Sequence, residues 1–267
     1  MIKCDFTREA CFVYHMLSVS FCGYDNEYGK KYAALHDKQH LDMLKHHERL
    51  ITVKGGVHIG ELYWPFLADA AASTTPVDAY FNCFANDSGA KGEIARVMMD
   101  NYNIYTENVW SQAQAEIAPY SAAVQSAVGN IAAGLDELFG GQSLGEFYPI
   151  FVNSIDGGPE AIDISQNKHI FGINRPVELA AKFISHEYII FRLKTELAAT
   201  KVDLTDPMKY WLYIECLAAY YYELFYKDTK HPFIDEHSRH VIEFYKQTKG
   251  EYSAAQLFEL AVKQFLQ

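Results

Sequence analysis

Hydrophobic residues recur at helical spacing over most of the chain. In the stretch from Lys91 to Phe139, small and apolar residues return every three or four positions, as on the buried face of an amphipathic helix. The apolar run from Cys11 to Cys22 predicts a buried helix or strand, and the stretch from Asn26 to Ile51 predicts one long, half-solvated helix. Residues Glu61 to Ala72 predict another helix, whereas the segment PVDAYFNCFAND fits either a strand or a short helix.

The pattern changes near Glu146. The segments EFYPIFVNSI and NKHIFGIN are rich in aromatic and β-branched residues, which predicts two strands of a small sheet. A helix follows, with Asn174 as its cap and Pro176 in its first turn, and it runs to about Ala199. Three further helices are predicted, over Met208 to Tyr226, Ile234 to Thr248 and Ser253 to Phe265.

These elements predict a mainly helical α+β fold. We expect a helical N-terminal lobe over residues 1–140 and, over residues 141–267, a C-terminal lobe that contains the small sheet. A single continuous domain is the alternative. With 49% apolar residues in 267, the chain can fill a core without disulfides.

Charge and cysteine content narrow the function classes. The 34 acidic and 23 basic residues give a net charge of -11, which opposes binding to nucleic acid or to an anionic membrane surface. No apolar run reaches the roughly 18 residues of a membrane-spanning helix, so none is expected. Five cysteines without a CxxC pair indicate neither a disulfide framework nor a thiolate zinc site, which favours a reducing cytoplasm.

The stretch SHEYIIFRLK carries the candidate chemistry. Zinc peptidases bind the ion through two histidines one helical turn apart, and the glutamate after the first histidine serves as the general base. His186 and Glu187 match the first ligand and the base, but Ile190 occupies the position of the second ligand. On the next predicted helix, Glu215 is an isolated acid in an apolar run, where a carboxylate must be paired, protonated or bound to a cation.

The segments HIFGIN, FISHEYIIFR and YIECLAAYY together resemble the predicted zinc peptidases of the gluzincin group of zincins, whose signatures look like HEYHH and then EGLAEYF. The resemblance covers about residues 145–225. It implies a zincin-like arrangement with His186 and Glu215 as zinc ligands and Glu187 as the catalytic base of a zinc-dependent metallopeptidase. Ile189 and Ile190 depart from this pattern, because they replace both histidines of HEYHH.

Loss of a zinc ligand changes the expected function. Disturbing even an outer partner of a metal costs about 10 to 100-fold in affinity or activity, and a missing ligand costs more. We therefore expect a catalytically impaired or inactive metallopeptidase homologue, with zinc absent or weakly bound. The alternatives are a peptide-binding or oligomeric structural protein that uses the remnant cleft, and an active zinc hydrolase that recruits another ligand.

Three residues near Glu215 are candidates for a substitute ligand or for a donor to the transition state: Tyr222, His231 and His237. A tyrosine of the core and surface histidines at a turn are the structural interpretations of the same residues. If the motif is a coincidence, His186 is a hydrogen-bonded, half-buried histidine, Glu187 a solvated helix residue and Glu215 a satisfied acid. His36 and His40 also lie four positions apart, but the lysines around them indicate a solvated helix without a catalytic role.

Overall fold

The structure, a computed structural model, describes most of the chain. The described residues are 1–22, 25–51, 77–84, 86–142, 144–156, 161–165, 167–198, 200, 207–227, 229–232, 234–248 and 252–265. The side chains of residues 78, 161–165, 207, 208 and 237 are outside this description. The helix predicted over Glu61 to Ala72 also lies outside the described residues.

The described chain is helical as far as residue 138. The helices are α1 (Arg8–Val19), α2 (Glu27–Tyr32), α3 (Lys38–His46), α4 (Glu48–Ile51), α5 (Val77–Asn82), α6 (Ala90–Asn108), α7 (Trp110–Val128) and α8 (Ile131–Leu138), with a 3-10 turn at Ala33–Leu35 between α2 and α3. The apolar run from Cys11 to Cys22 thus belongs mainly to a helix, and PVDAYFNCFAND contains the short helix α5.

One long helix from Asn26 to Ile51 was a wrong prediction. The chain breaks at His36, whose backbone is extended with φ -111° and ψ 153°, and a new helix starts after Asp37. The Asp37 carboxylate accepts a hydrogen bond from the Gln39 backbone N–H, because an aspartate at this position satisfies a donor that the helix itself leaves free. The break takes His36 off the solvated face, and its side chain is buried.

The small sheet contains both predicted strands and a third one. Strands β1 (Tyr148–Val152), β2 (Ala161–Ser165) and β3 (Lys168–Gly172) are arranged in the order β1-β3-β2. β1 runs parallel to β3 with Ile150 opposite Ile170, and β2 runs antiparallel to β3. β2 was not predicted, although its sequence AIDIS alternates apolar and polar residues, because its five residues become a strand through pairing with β3.

Long helices dominate the rest of the chain. They are α9 (Val177–Leu197), α10 (Pro207–Phe225), α11 (Arg239–Gln247) and α12 (Ala254–Phe265), with a 3-10 turn at Glu236–Ser238. The prediction of a mainly helical protein with a small sheet is therefore confirmed. Within the described ranges, no helix combines the length and the apolar character that crossing a membrane requires.

The chain forms two compact units. The first, here called the His15 unit, consists of residues 3–126 and 148–180, and the second, the His186 unit, consists of residues 1–2, 127–147 and 181–267. Each unit takes residues from both predicted lobes, so the lobes are a different division of the chain and stay a prediction.

Inside the His186 unit, two contacts to the segment that includes α8 hold α9 in place. The Tyr188 hydroxyl donates to Asp136 Oδ1 at 2.8 Å, and the buried Arg192 guanidinium donates to the Gln142 carbonyl oxygen and lies over the Phe139 ring. Tyr188 and Arg192 lie two and six residues after His186 on α9. These contacts fix the rotation of α9 and therefore the direction in which His186 points.

Candidate functional site

His186, Glu215 and His231 form one hydrogen-bonded chain in the His186 unit. His186 Nε2 on α9 lies 3.0 Å from Glu215 Oε2 on α10. His186 Nδ1 lies 2.9 Å from His231 Nε2, which belongs to the turn after α10. Three of the residues singled out in the sequence are thus neighbours in space.

This hydrogen-bonded chain runs from the half-exposed Glu215 to the buried His231. The Glu215 side chain is 38% exposed, whereas that of His186 is 7% exposed and His231 is almost fully buried. The isolated acid of the apolar helix is therefore paired with a histidine. Because Glu215 is the outermost member, its carboxylate is the group that an approaching ligand would meet.

A buried ionic cluster holds the backbone of His231. The Glu223 carboxylate accepts the His231 backbone N–H at 2.8 Å and also binds Arg239 and Lys246, the latter at 2.7 Å. Arg239 donates in turn to the His231 carbonyl oxygen at 2.7 Å. Burial alone would raise the pKa of Glu223, but the hydrogen bonds from Lys246, from the His231 backbone and from Arg239 leave it below its ordinary value.

The environment of His231 determines where protons can lie. Burial, and then the neighbouring His186, lower the pKa of His231 to about 3, so this imidazole is neutral at ordinary pH. When neutral His231 donates to His186 Nδ1, the single hydrogen of a neutral His186 lies on Nε2 and is donated to the Glu215 carboxylate.

Aromatic rings enclose the inner end of the chain. The Tyr222 ring meets the His231 ring edge-on at 4.6 Å between centroids, and the Tyr226 ring lies 4.5 Å from Tyr222. The Tyr226 hydroxyl is 2.8 Å from Ser185 Oγ. The Tyr222 hydroxyl is buried, and no hydrogen-bond partner for it occurs among the described residues. Tyr222 thus contacts His231 through its ring.

These residues do not fit a three-ligand zinc site. Ile190 and Ile189 are both buried, and Ile190 occupies the helical position of the second histidine ligand. His231 contacts Nδ1 of His186, whereas Glu215 contacts Nε2, so His231 and Glu215 lie on different sides of the ring and do not converge on one point. In the part of the chain that the structure describes, no group of three or more His, Cys, Asp or Glu side chains is arranged to hold an ion.

The other candidates have different surroundings. Glu187 is buried, which differs from a solvated helix residue. The side chain of His237 lies outside the described residues, although its backbone belongs to the 3-10 turn before α11. Next to Glu215, the Cys216 thiol lies 3.7 Å from the Ser238 carbonyl oxygen, and burial raises its pKa to about 12, so it is a packed, unreactive thiol.

A second histidine cluster was missed from the sequence. His15, in the middle of the apolar run of α1, contacts the buried His36. A histidine inside an apolar helix is a signal of a buried polar partner, but nothing in the sequence indicated which residue that partner is.

No protein-family model, no curated protein and no solved structure matches this chain.

Proposed function

We propose that this protein is a zincin-like homologue of metallopeptidases in which a histidine–glutamate pair replaces the catalytic metal centre. The proposal is supported by the chain order of small sheet, HE-helix and glutamate-bearing helix. The observation that carries it is the 3.0 Å contact between His186 Nε2 and Glu215 Oε2, the two atoms that would bind zinc in the gluzincin pattern.

The donor set argues against hydrolysis of the zincin type. In an active relative, the ion would polarise the peptide carbonyl and Glu187 would activate water. Here the Glu215 carboxylate accepts a hydrogen bond from His186 Nε2, and the branched side chain of Ile190 fills the space of another ligand. The zinc that remained would be weakly bound, because a ligand has been lost.

The remaining chemistry favours binding. Glu215 is a half-exposed carboxylate whose orientation is held by a buried imidazole, and the chain has a net charge of -11. Carboxylates form their strongest hydrogen bonds with charged donors such as ammonium and guanidinium groups. The ligand that fits best is therefore a peptide segment with a basic side chain or a free amino terminus at this position.

Zinc content tests the loss of the metal centre. Protein purified without a metal-affinity tag is analysed by mass spectrometry beside the variants Ile190→His and Ile189→His. We expect far less than one zinc per natural chain, about one in Ile190→His, and none in Ile189→His, because the latter residue projects about 100° away round the helix.

Each contrary outcome has a distinct meaning. About one zinc in the natural chain would show that another ligand has been recruited, and would favour the active hydrolase. If a folded Ile190→His variant, checked by circular dichroism, takes up no zinc, then SHEYIIFRLK is a coincidence and the zincin interpretation is wrong.

A further inference from the structure

The His15 unit contains a hydrogen-bonded chain that the proposed function does not use. It joins Tyr28 on α2, His15 on α1, His36 before α3 and Asn101 on α6. The Tyr28 hydroxyl lies 2.8 Å from His15 Nδ1, His15 Nε2 lies 2.8 Å from His36 Nε2, and His36 Nδ1 lies 2.7 Å from Asn101 Oδ1. His15, His36 and Asn101 are buried. The contacts hold three separate helices and one turn together.

The Asn101 amide fixes the direction of every hydrogen bond in this chain. Its Nδ2 lies 2.7 Å from the Val97 carbonyl oxygen, and a carbonyl oxygen only accepts. The second Nδ2 hydrogen points to Nδ1 of the half-buried His40 at 3.1 Å. Asn101 Oδ1 therefore faces His36 and must accept its Nδ1–H.

The protons of the two imidazoles follow from that orientation. A neutral imidazole has a single N–H, so His36 Nε2 is an acceptor and His15 donates to it from Nε2. His15 Nδ1 then accepts the Tyr28 hydroxyl hydrogen. All hydrogen bonds run in one direction, from Tyr28 through His15 and His36 to Asn101, and the two imidazoles share two protons.

The surroundings disfavour a third proton. The rings of Tyr28, Tyr32 and Tyr105 enclose His15 at 4.8 to 5.9 Å between centroids, and His40 interacts electrostatically with His36. Glu9 raises the pKa of the Tyr105 phenol, and Glu116 raises that of the Tyr28 phenol. Cys11 raises the pKa of both phenols. Within the described ranges, no carboxylate forms an ion pair with His15 or His36. Burial, and then His36, lower the pKa of His15. Burial also lowers the pKa of His36, against the raising effect of its hydrogen bond to Asn101 and together with the lowering effect of His40.

We propose that the His15–His36 contact is a proton-sensitive latch. While both imidazoles are neutral, it holds residues 27–46, here called the latch segment, against α1 and α6. An added proton either sets two N–H donors against each other or reverses the chain towards Tyr28. Both arrangements leave a buried positive charge without a carboxylate, and that charge is relieved when the latch segment opens and water reaches the imidazole.

The direction of the pH effect follows from the lowered pKa values. When the latch segment is open and a histidine is in water, its pKa is near 6.5. When the latch segment is closed, the pKa of the same histidine is lower. The latch therefore stabilises the closed state fully above about pH 6.5, and this stabilisation falls as the pH decreases below that value. Each histidine that takes up a proton on opening makes the opening constant rise up to about tenfold per pH unit.

Hydrogen exchange of the intact chain tests the latch. Amide protection is measured at pH 7.5 and 5.0 and corrected for the intrinsic exchange rate. We expect opening of the latch segment to rise at least about tenfold at pH 5.0. The double variant His15→Gln/His36→Gln keeps the same hydrogen-bond direction without titrating groups, so its opening should be independent of pH. His46→Gln removes an exposed histidine of α3 and should behave like the natural chain.

Equal protection at both pH values in the natural chain overturns the proposal, and so does a double variant with the natural pH dependence. If the double variant does not fold, nitrogen NMR of the natural protein decides. At pH 7.5 we expect the proton on Nδ1 of His36 and on Nε2 of His15. The opposite tautomers, or a titration of either ring near 6.5 without opening of the latch segment, would refute the latch.

Discussion

Each of the two units contains a pair of histidines in direct contact through ring nitrogens, at 2.9 Å for His186 and His231 and 2.8 Å for His15 and His36. The pairs differ in what ends the hydrogen-bonded chain. The His186 pair ends at a half-exposed carboxylate, Glu215, whereas the His15 pair ends at an amide and a phenol. A carboxylate stabilises an added proton and an amide does not, which is why we propose ligand binding for the His186 pair and a latch for the His15 pair.

The pairs also differ in how they are held. The buried Glu223 carboxylate and the half-buried Arg239 guanidinium bind the backbone of His231, and the exposed Lys246 pairs with Glu223. His36 is held by neutral groups and by its position just before Asp37, the N-cap of α3. Neutral hydrogen bonds contribute about 0.5–1.5 kcal/mol each, and breaking a buried ion pair costs about 3–5 kcal/mol. The His231 turn should therefore be the more rigid of the two.

The largest effect is expected from Glu223→Gln. It removes the buried charge between Arg239 and Lys246 and leaves the half-buried guanidinium without its carboxylate, so the free energy of unfolding should fall by about 3 kcal/mol in urea titrations. Glu243→Gln is the matched control, because Glu243 also pairs with Lys246, at 3.2 Å, but is exposed. It should change stability by less than about 1 kcal/mol. Equal effects of the two variants would contradict the role given to the buried cluster.

Asn101→Asp makes the His15 chain end in a carboxylate like the His186 chain. The loss of the donor to the Val97 carbonyl should lower the free energy of unfolding at pH 7.5 by about 2 kcal/mol. The new charge should raise the pKa of His36, so acid opening of the latch segment should move to lower pH or disappear. Hydrogen exchange across pH 5.0 to 7.5 measures both changes, and an acid opening at the natural pH would argue against the comparison.

Tyr28→Phe removes the phenol end of the same chain. His15 Nδ1 loses its donor, and because a neutral hydrogen bond contributes about 0.5–1.5 kcal/mol, we expect a loss of about 1 kcal/mol in thermal unfolding. The control Tyr32→Phe removes a hydroxyl that donates to Gln112 Oε1 at 3.1 Å and leaves the chain intact. Only Tyr28→Phe should alter the nitrogen NMR signals of His15.

Glu215→Gln makes the His186 chain end in an amide. Because the side chain is 38% exposed, stability should change by less than about 1 kcal/mol. Affinity for peptides with lysine, arginine or a free amino terminus should fall about tenfold in calorimetric titrations, while affinity for acidic peptides should not fall. Equal affinity of the natural chain and the variant for basic peptides would remove Glu215 from the binding role.

The prediction succeeded where the information was local. Helical periodicity predicted α6 to α10, and the spacing of His186, Glu187 and Ile190 along α9 follows from helix geometry alone. The composition of YIECLAAYY also indicated that Glu215 needed a partner. The alternation of β2 covers only five residues and was not recognised as a strand, and the break at Asp37 looked like the continuation of a solvated helix.

The sequence by itself determined the helices from α6 onward, that Ile190 stands where a zincin has its second histidine, and that Glu215 is an acid in apolar surroundings. Only the tertiary structure decided that His231 meets His186 across 45 positions of the chain and that His15 meets His36 across 21. The physical reason is how far apart in the sequence the interacting residues are. Backbone hydrogen bonds and side-chain spacing within a helix depend on adjacent residues, whereas the partner of a buried imidazole depends on how distant segments pack and on where the backbone breaks.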